Sequence, residues 1–291
     1  MSIAGTPGLL LGLIGAGIQA SRTPALHEQE GEAQGLRTIY RLIDLELLGL
    51  GAEALPELLN AAERMGFNGL NITHPCKQAV LPLLHELSPD AAAIGAVNTV
   101  LLRHGRRVGH NTDCSGFAEN FQRGLAGASR DRVVQLGAGG AGAAVARAAL
   151  QSGVQQLCIF DVEAGRAQAL ATRLNSEAGE GRVSVGSDLA SAMAEAVGVI
   201  NTTPVGMAGH PGLPLPADLL RSPLWVAEIV YFPLETALLR AARALGCRTL
   251  DGGGMAVFQA VEAFRLFTGI TPDAERMRRH FDLIRAAAEA S

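Results

Sequence analysis

The sequence predicts an α/β protein in two lobes, and three observations carry that expectation. Short apolar, strand-like runs alternate with segments of helical period along most of the chain. One such run, Val133-Val134-Gln135-Leu136, passes directly into Gly137-Ala138-Gly139-Gly140-Ala141-Gly142 and then a small-residue helical pattern. After the last strand reading, near Leu250, the pattern turns helical from Met255 to the C-terminus. The boundaries expected are 1–113 with 255–291 for the first lobe and 114–254 for the second.

Composition sets outer limits. The chain has 291 residues, 48% hydrophobic and 18% charged, which suits a large domain or two modest ones with an ample core. Aromatics are only 4%, so Leu, Val, Ile and Ala must fill that core. The net charge of −4 offers no basic field for nucleic acid. No apolar run reaches the roughly 18 residues of a membrane span. Cys76, Cys114, Cys158 and Cys247 lie far apart without a C-x-x-C pair. They read as reduced thiols of a cytoplasmic protein, with no disulfide frame and no metal site.

In the first half, Leu9 to Ile14 reads as a buried parallel strand leading into Gly15-Ala16-Gly17 and Ser21-Arg22-Thr23-Pro24. Pro24 suits the first turn of a helix, with Thr23 as its cap. Ser21 and Thr23 together also offer two hydroxyls to an anion at a helix start. Thr38 to Ile43 is the second strand. A helix follows, with Leu55, Leu58, Leu59 and Ala62 on one face and Gly66 as its stop. Phe67 to Thr73 is the third strand, and strand–helix–strand order argues for a parallel sheet. Pro75 is expected to open a helix carrying Ala79, Val80, Leu83, Leu84 and Leu87. Lys77 lies in its first turn, where the helix dipole disfavours a cation. Such a lysine either points to solvent or is held for chemistry. Gly95 to Arg103 reads as a strand, with a turn at His104-Gly105-Arg106 into a hairpin. Beyond it, Asp113 suits the cap of a helix starting near Gly116. Lys77 and Asp113 could form a proton-handling pair; spacing alone does not bring them together.

The second half is a run of βα units. Strands are expected at Arg132–Leu136, Gln156–Phe160, Arg182–Val185, Val197–Asn201, Trp225–Val230 and Arg248–Leu250, with helices filling the gaps. Gly137, Gly139 and Gly142 fit G-x-G-x-x-G: a tight turn, close approach to a pyrophosphate, and helix–strand packing. Gly137, Ala138, Gly139, Gly140 and Ala141 are the expected phosphate cradle at a helix start. Asp161 ends the next strand, where an acid binds the ribose hydroxyls of NAD. Three further strand ends complete the cofactor candidates: Thr202, Thr203, Pro204, Val205 and Met207 after the fourth strand, Val230 at the fifth, and Gly252 after the sixth. Asp273 to Ala290 reads as a last amphipathic helix, expected to pack back on the first half with the helix before it.

Taken together, the motifs resemble the shikimate dehydrogenase family over essentially the whole chain, and most of all its NAD-using quinate/shikimate dehydrogenases. They are Ser21-Arg22-Thr23-Pro24, Asn71-Ile72-Thr73-His74-Pro75-Cys76-Lys77, Gly95-Ala96-Val97-Asn98-Thr99, Asn111-Thr112-Asp113, the glycine run, Asn201-Thr202-Thr203-Pro204-Val205-Gly206-Met207 and Asp251-Gly252-Gly253-Gly254-Met255. The resemblance implies reversible hydride transfer between a ring hydroxyl of quinate or shikimate and a nicotinamide cofactor, without metal. It implies Lys77 and Asp113 as the catalytic pair and Ser21 and Thr23 on the substrate carboxylate. It puts Thr73, Asn98, Asp113 and Gln259 on ring hydroxyls, with Asn71 and Tyr231 nearby. Two departures from the common pattern matter. Thr23 replaces the second serine of Ser-x-Ser. Asp161-Val162-Glu163 stands where NADP-using members carry Asn-Arg-Thr, which implies NAD over NADP, since a carboxylate accepts from ribose hydroxyls and repels a phosphate. Arg166, shortly downstream, is the candidate to stack on adenine or to tolerate NADP. Two other readings stay open: a dehydrogenase of another ring acid, and an inactive NAD-binding regulator. The expected assembly is a monomer or homodimer.

Overall fold

A computed structural model describes residues 8–289. It divides into two compact units, one running to Thr112 and resuming at Gln259, the other Asp113–Phe258.

The first unit holds β1 (Gly8–Gly15), α1 (Thr23–Ala33), β2 (Arg37–Asp44), α2 (Leu45–Leu48), α3 (Leu55–Arg64), β3 (Gly69–Ile72), α4 (Cys76–Ala79), β4 (Glu86–Leu87), α5 (Pro89–Ile94), β5 (Thr99–Arg103) and β6 (Arg106–His110). Its six strands run in the order β2-β1-β3-β5-β6-β4. The pairs β2–β1, β1–β3 and β6–β4 are parallel, but β5 runs antiparallel to both neighbours, so the sheet is mixed where a parallel one was expected. Against β6 the reversal comes from the hairpin: Arg103 pairs with Arg106 across His104-Gly105, both turn residues at positive φ (52° and 70°), the geometry of a tight two-residue turn. Side chains alternate across β1. Leu9, Leu11 and Leu13 face one core with Phe267, while Ile14 joins Leu55, Leu59, Leu70 and Ile72 in the other. Gly69 leaves room for the Phe267 ring, which lies 2.3 Å from where a Cβ would stand.

Two local expectations fail here for identifiable reasons. The helix expected from Pro75 through Leu87 ends at Ala79 and gives way to a 3-10 turn, Leu81–Leu83, and then β4. Pro82 explains it, because its ring has no N–H to give and clashes with the carbonyl four residues back. The strand expected from Gly95 begins only at Thr99, because Gly95 closes α5 in the left-handed conformation, φ 69°.

The second unit contains most of α6 (Thr112–Gly124), then β7 (Arg132–Leu136), α7 (Gly140–Gln151), β8 (Gln156–Phe160), α8 (Ala164–Ala178), β9 (Val183–Val185), α9 (Leu189–Glu195), β10 (Gly198–Asn201), β11 (Trp225–Glu228), α10 (Ala237–Ala244), β12 (Arg248–Leu250) and the start of α11 (Gly253–Thr268). All six strands are parallel, in the order β12-β11-β10-β7-β8-β9. That is the Rossmann order, with its topological switch point between β7 and β10. Helices do not fill every gap. Between β10 and β11 there is only a 3-10 turn, Ala217–Leu219, in a stretch punctuated by Pro204, Pro211, Pro214, Pro216 and Pro223. The chain ends in α12 (Ala274–Glu289), which packs on α1. There Arg276 grips the buried Glu30 with two bonds of 2.7 and 2.8 Å, as the expected return of the closing helices requires. Among the described residues no helix is long and apolar enough to cross a membrane.

Candidate active site

In the second unit the glycine motif is built as its spacing suggests. Gly137 adopts φ 100°, and a Cβ there would stand 2.7 Å from the Thr202 hydroxyl. A Cβ on Gly142 would stand 2.5 Å from the Gly137 carbonyl. Both glycines are therefore closed against protein. Gly139 is the opposite: a Cβ there meets nothing within 4 Å. Backbone N–H groups at the start of α7, with Gly140 and Ala141 in its first turn, face that open ground as an anion cradle. The residues fit a dinucleotide pyrophosphate.

Side chains lock the turn in place. Thr202 donates its hydroxyl to the carbonyls of Leu136 (2.8 Å) and Gly137 (2.9 Å), joining the two strand ends that flank the switch point. Gln135, wholly buried in β7, donates to the carbonyls of Gly137 and Gly142, both at 2.9 Å. Asp161 follows β8. One of its oxygens accepts from Ala138 N–H (2.7 Å) and the other from Glu163 N–H (2.8 Å). The acid expected to reach a ribose thus also fixes the glycine loop. Arg166 pairs with Glu163 at 2.8 Å on the surface. Gly252 is accounted for by packing, since a Cβ there would lie 2.5 Å from the Ile229 carbonyl.

Asn201 and Glu228 sit opposite each other at the ends of β10 and β11. The Asn201 amide donates to both Glu228 oxygens (2.9 and 3.1 Å) and to the Val205 carbonyl (3.0 Å). Its own oxygen accepts from the Thr203 N–H (3.0 Å) and hydroxyl (2.7 Å). Val230 N–H and the Thr236 hydroxyl also donate to Glu228, at 3.1 and 3.2 Å. Burial pushes the Glu228 carboxyl up to about 7, against the pull of these bonds. Of the remaining strand-end candidates, Val205 is half-buried while Pro204, Met207 and Tyr231 are exposed.

In the first unit the candidates gather at the ends of β1, β2 and β3 and the start of β5. Asp44, ending β2, accepts from Gly17 N–H (2.9 Å), Ile18 N–H (3.0 Å) and the Gln19 amide (2.9 Å), so it shapes the loop before Ser21. Thr23 is not the cap expected of it. It is itself the first residue of α1, Arg22 holds the cap position without a side-chain bond, and Thr23 N–H goes to the Ser21 hydroxyl at 3.3 Å. That bond uses an acceptor site of the Ser21 oxygen and not its proton. Thr73 follows β3 and lies against Gly15, where a Cβ would be 2.3 Å from its methyl.

Asn71, expected near the ring hydroxyls, is engaged with its neighbours inside the first unit. Its oxygen accepts from the Tyr40 hydroxyl (2.7 Å), and its amide hydrogens go to Thr99 Oγ1 (3.0 Å) and the Asn98 carbonyl (3.2 Å). No donor is left, so Asn71 holds its neighbours in place. The chain of bonds continues. Thr99 donates to Asn98 Oδ1 (3.0 Å), Asn98 Nδ2 donates to Thr112 Oγ1 (2.9 Å), and Thr112 lies 3.4 Å from Gln259 Oε1. Asn98 Oδ1 also takes Thr112 N–H at 2.8 Å. This long-range bond satisfies a helix-start donor, and α6 begins at Thr112 rather than near Gly116. Asp113 therefore lies in the first helical turn and not at the cap, where the helix dipole favours its charge. Lys77 is half-buried in α4, and its carbonyl accepts from Val97 N–H (2.8 Å), the residue before Asn98.

Reading from the sequence missed Tyr40, Asp44, Gln135 and the bonding role of Glu228. Gln135 and Glu228 did leave a signal, as single polar residues inside otherwise apolar strands. Tyr40 left none, since a tyrosine in a strand reads as core.

Comparison with known proteins places the chain. Residues 13–100 match the family described as shikimate dehydrogenase substrate binding domain, and residues 252–280 match the shikimate 5′-dehydrogenase C-terminal domain. A shikimate dehydrogenase (NADP(+)) of Streptomyces avermitilis is 60% identical over 92% of this chain and 93% of its own. The chain belongs to the shikimate dehydrogenase family. A quinate/shikimate dehydrogenase (NAD(+)) of Corynebacterium efficiens is 55% identical over 94% of this chain and 97% of its own. Among solved structures, the quinate dehydrogenase from Corynebacterium glutamicum in complex with NAD superposes with a TM-score of 0.89, at 52% identity, over 95% of this chain and 99% of that one.

Proposed function

We propose that this family member reversibly oxidises a ring hydroxyl of quinate or shikimate to the ketone, with NAD as its partner. The observation that carries the proposal is the second unit's phosphate cradle. Gly139 is left open between two closed glycines at the switch point, and an acid, not a base, ends the neighbouring strand. The likeness to the NAD-bound quinate dehydrogenase supports it. Gly137 to Ala141 hold the pyrophosphate, Asp161 takes the ribose hydroxyls, and Thr202, Thr203, Val205, Met207 and Val230 line the path beyond the switch point. When bound, the nicotinamide accepts the hydride that leaves the ring carbon.

The chain's own groups do the rest. The Ser21 and Thr23 hydroxyls donate to the substrate carboxylate. Thr73, Asn98 and Gln259 bond the ring hydroxyls, and Asn71 keeps Asn98 and Thr99 in register. Neutral Lys77 Nζ takes the hydroxyl proton as the carbon–hydrogen bond breaks, and the Asp113 carboxylate accepts from a ring hydroxyl beside the reacting one and from the Lys77 amine, which it steadies. The bonded path Lys77–Val97–Asn98–Thr112, with Asp113 next in sequence, supports the pairing.

A second reading, NADP in place of NAD, is favoured by the name of the Streptomyces avermitilis relative and by Arg166, whose guanidinium stands close to the Asp161 turn in sequence. Initial rates of the purified protein on quinate and shikimate, each with NAD and NADP, decide between them. The expected result is a higher kcat/KM with NAD on either acid. A marked NADP preference would refute the cofactor assignment, and no turnover on either acid would refute the substrate assignment.

A further inference from the structure

Glu228 is a buried acid at a strand end. It is 1% exposed at the end of β11, and none of its hydrogen-bond partners carries a charge. A buried carboxylate without a counter-ion is costly, and a well-packed apolar side chain serves a core better. The carboxylate does something an apolar group cannot: it accepts from three stretches of chain at once. Asn201 begins the 202–207 loop, Val230 N–H belongs to the loop after β11, and Thr236 caps α10, its oxygen also accepting from Leu239 N–H at 3.3 Å. Through Asn201 the hold extends to Thr203 and to the Val205 carbonyl. The loop then folds over the carboxylate. Gly206, at φ 111°, is so close that a Cβ there would lie 3.6 Å from Glu228 Oε2 and 3.4 Å from Thr236 Cγ2.

These two loops lie where the cofactor's second half belongs. A dinucleotide with its pyrophosphate on the β7 glycines and its adenosine ribose at Asp161 on β8 extends its other half across the switch point, over β10 and β11. We propose that Glu228 is a positioning residue for the dinucleotide, a buried acceptor that fixes the 202–207 and 229–236 loops in the shape that receives its nicotinamide half. The proposal rests on the NAD reading above.

The test compares wild type with Glu228→Ala, Glu228→Gln and Thr236→Val. NAD affinity is measured by calorimetry, the quinate KM at saturating NAD, and folding by thermal melting. Glu228→Ala removes the acceptor of one Asn201 amide hydrogen, of Val230 N–H and of the Thr236 hydroxyl, and NAD binding should weaken about tenfold or more while the quinate KM stays within about twofold. Glu228→Gln keeps one acceptor oxygen and the shape, and the Thr236 hydroxyl can turn to accept from it. It should restore NAD affinity to within about threefold of wild type. If Glu228→Ala does not fold, Thr236→Val still removes one donor, and should weaken NAD about two- to threefold with the quinate KM unchanged. Folded Glu228→Ala or Thr236→Val binding NAD as wild type does would overturn the proposal. So would equal loss in Glu228→Ala and Glu228→Gln. A wild-type protein that binds no NAD would overturn the cofactor reading itself, a result visible before any variant is made.

Discussion

At the end of β3 the first unit presents amides and hydroxyls already bonded to one another, from Tyr40 through Asn71, Thr99 and Asn98 to Thr112. At the end of β7 the second unit presents bare backbone around Gly139, with its side chains, Gln135 and Thr202, turned inward to hold that backbone. A ring acid with hydroxyls on several carbons must be read group by group, so it needs side chains whose rotamers are fixed by a second layer of bonds. A pyrophosphate is the same in every dinucleotide, and main-chain N–H groups at a helix start suffice for it. On the proposed function, the first unit recognises its ligand with side chains, and the second gives up side chains to let its ligand approach.

The comparison is broken most sharply where chemistry depends on one side chain. Lys77→Ala should lower kcat about a thousandfold, the usual size of a general base contribution, with substrate and NAD KM values within about fivefold of wild type. Steady-state kinetics at saturating substrate checks it. A variant that keeps its turnover removes Lys77 from the base's role. The matching change in the second unit removes space instead of a functional group. Gly142→Ala puts a methyl 2.5 Å from the Gly137 carbonyl and 2.8 Å from the Thr202 hydroxyl, both parts of a rigid turn. NAD affinity should fall about thirtyfold, roughly 2 kcal/mol of strain in the cradle. Calorimetric binding near the wild-type value would show that the turn yields easily.

These two features differ in how far the sequence betrays them. The glycine turn was legible because only glycine serves at φ 100° or within 2.5 Å of a carbonyl, so the constraint is written in residue type. The Rossmann unit followed for the same reason, strand by strand, except where prolines left the β10–β11 crossover without a helix. In the first unit local pattern and tertiary structure part company. The apolar spacing from Ala79 to Leu87 is helical, yet Pro82 breaks it. Asp113 looks like a cap, yet the Asn98 amide oxygen, at the start of the neighbouring strand, takes the Thr112 N–H where α6 begins. Asn71 carries a donor-bearing side chain in a motif, yet all of its donors are used inside the protein. Residue type shows which groups are present. Only the fold shows which of them are still free.

Tyr40 tests that last point directly. Tyr40→Phe keeps the ring that stacks on His27 at 5.1 Å between centroids and removes only the hydroxyl that Asn71 accepts. The lost bond, about 1 kcal/mol, should raise the KM for the ring acid about fivefold through the slackened Asn71–Asn98 pair. NAD affinity should not change, because the bonds from Tyr40 through Asn71, Thr99 and Asn98 to Thr112 all lie in the first unit. A variant that loses NAD affinity and acid affinity together would show that the two networks are coupled.

The smallest effect separates the units by the sign of their response to acid. His27 and Glu228, one in each unit, are buried ionisable groups of opposite kind. His27 is fully buried between Tyr40, Phe264 and Phe267, neither ring nitrogen has a hydrogen-bond partner among the described residues, and burial lowers its pKa to about 3. Its unfolded value is 6.5, so the stability that the neutral ring contributes is present above that pH and is lost as pH falls and the unfolded chain takes up the proton. Glu228 runs the other way. Its carboxyl is raised from 4.5 to about 7 by burial, so its contribution is complete below 4.5 and is lost as pH rises through 7. Subtracting the melting temperature of a variant that cannot titrate isolates each group. The wild-type value minus that of His27→Phe should fall between pH 7 and 5, and the wild-type value minus that of Glu228→Gln should fall between pH 5 and 8. Each swing should amount to a few degrees, about 1 to 2 kcal/mol. Two differences of the same sign, or two flat ones, would mean that neither group is buried as a bare titratable side chain, and the contrast between the units would rest on ligand recognition alone.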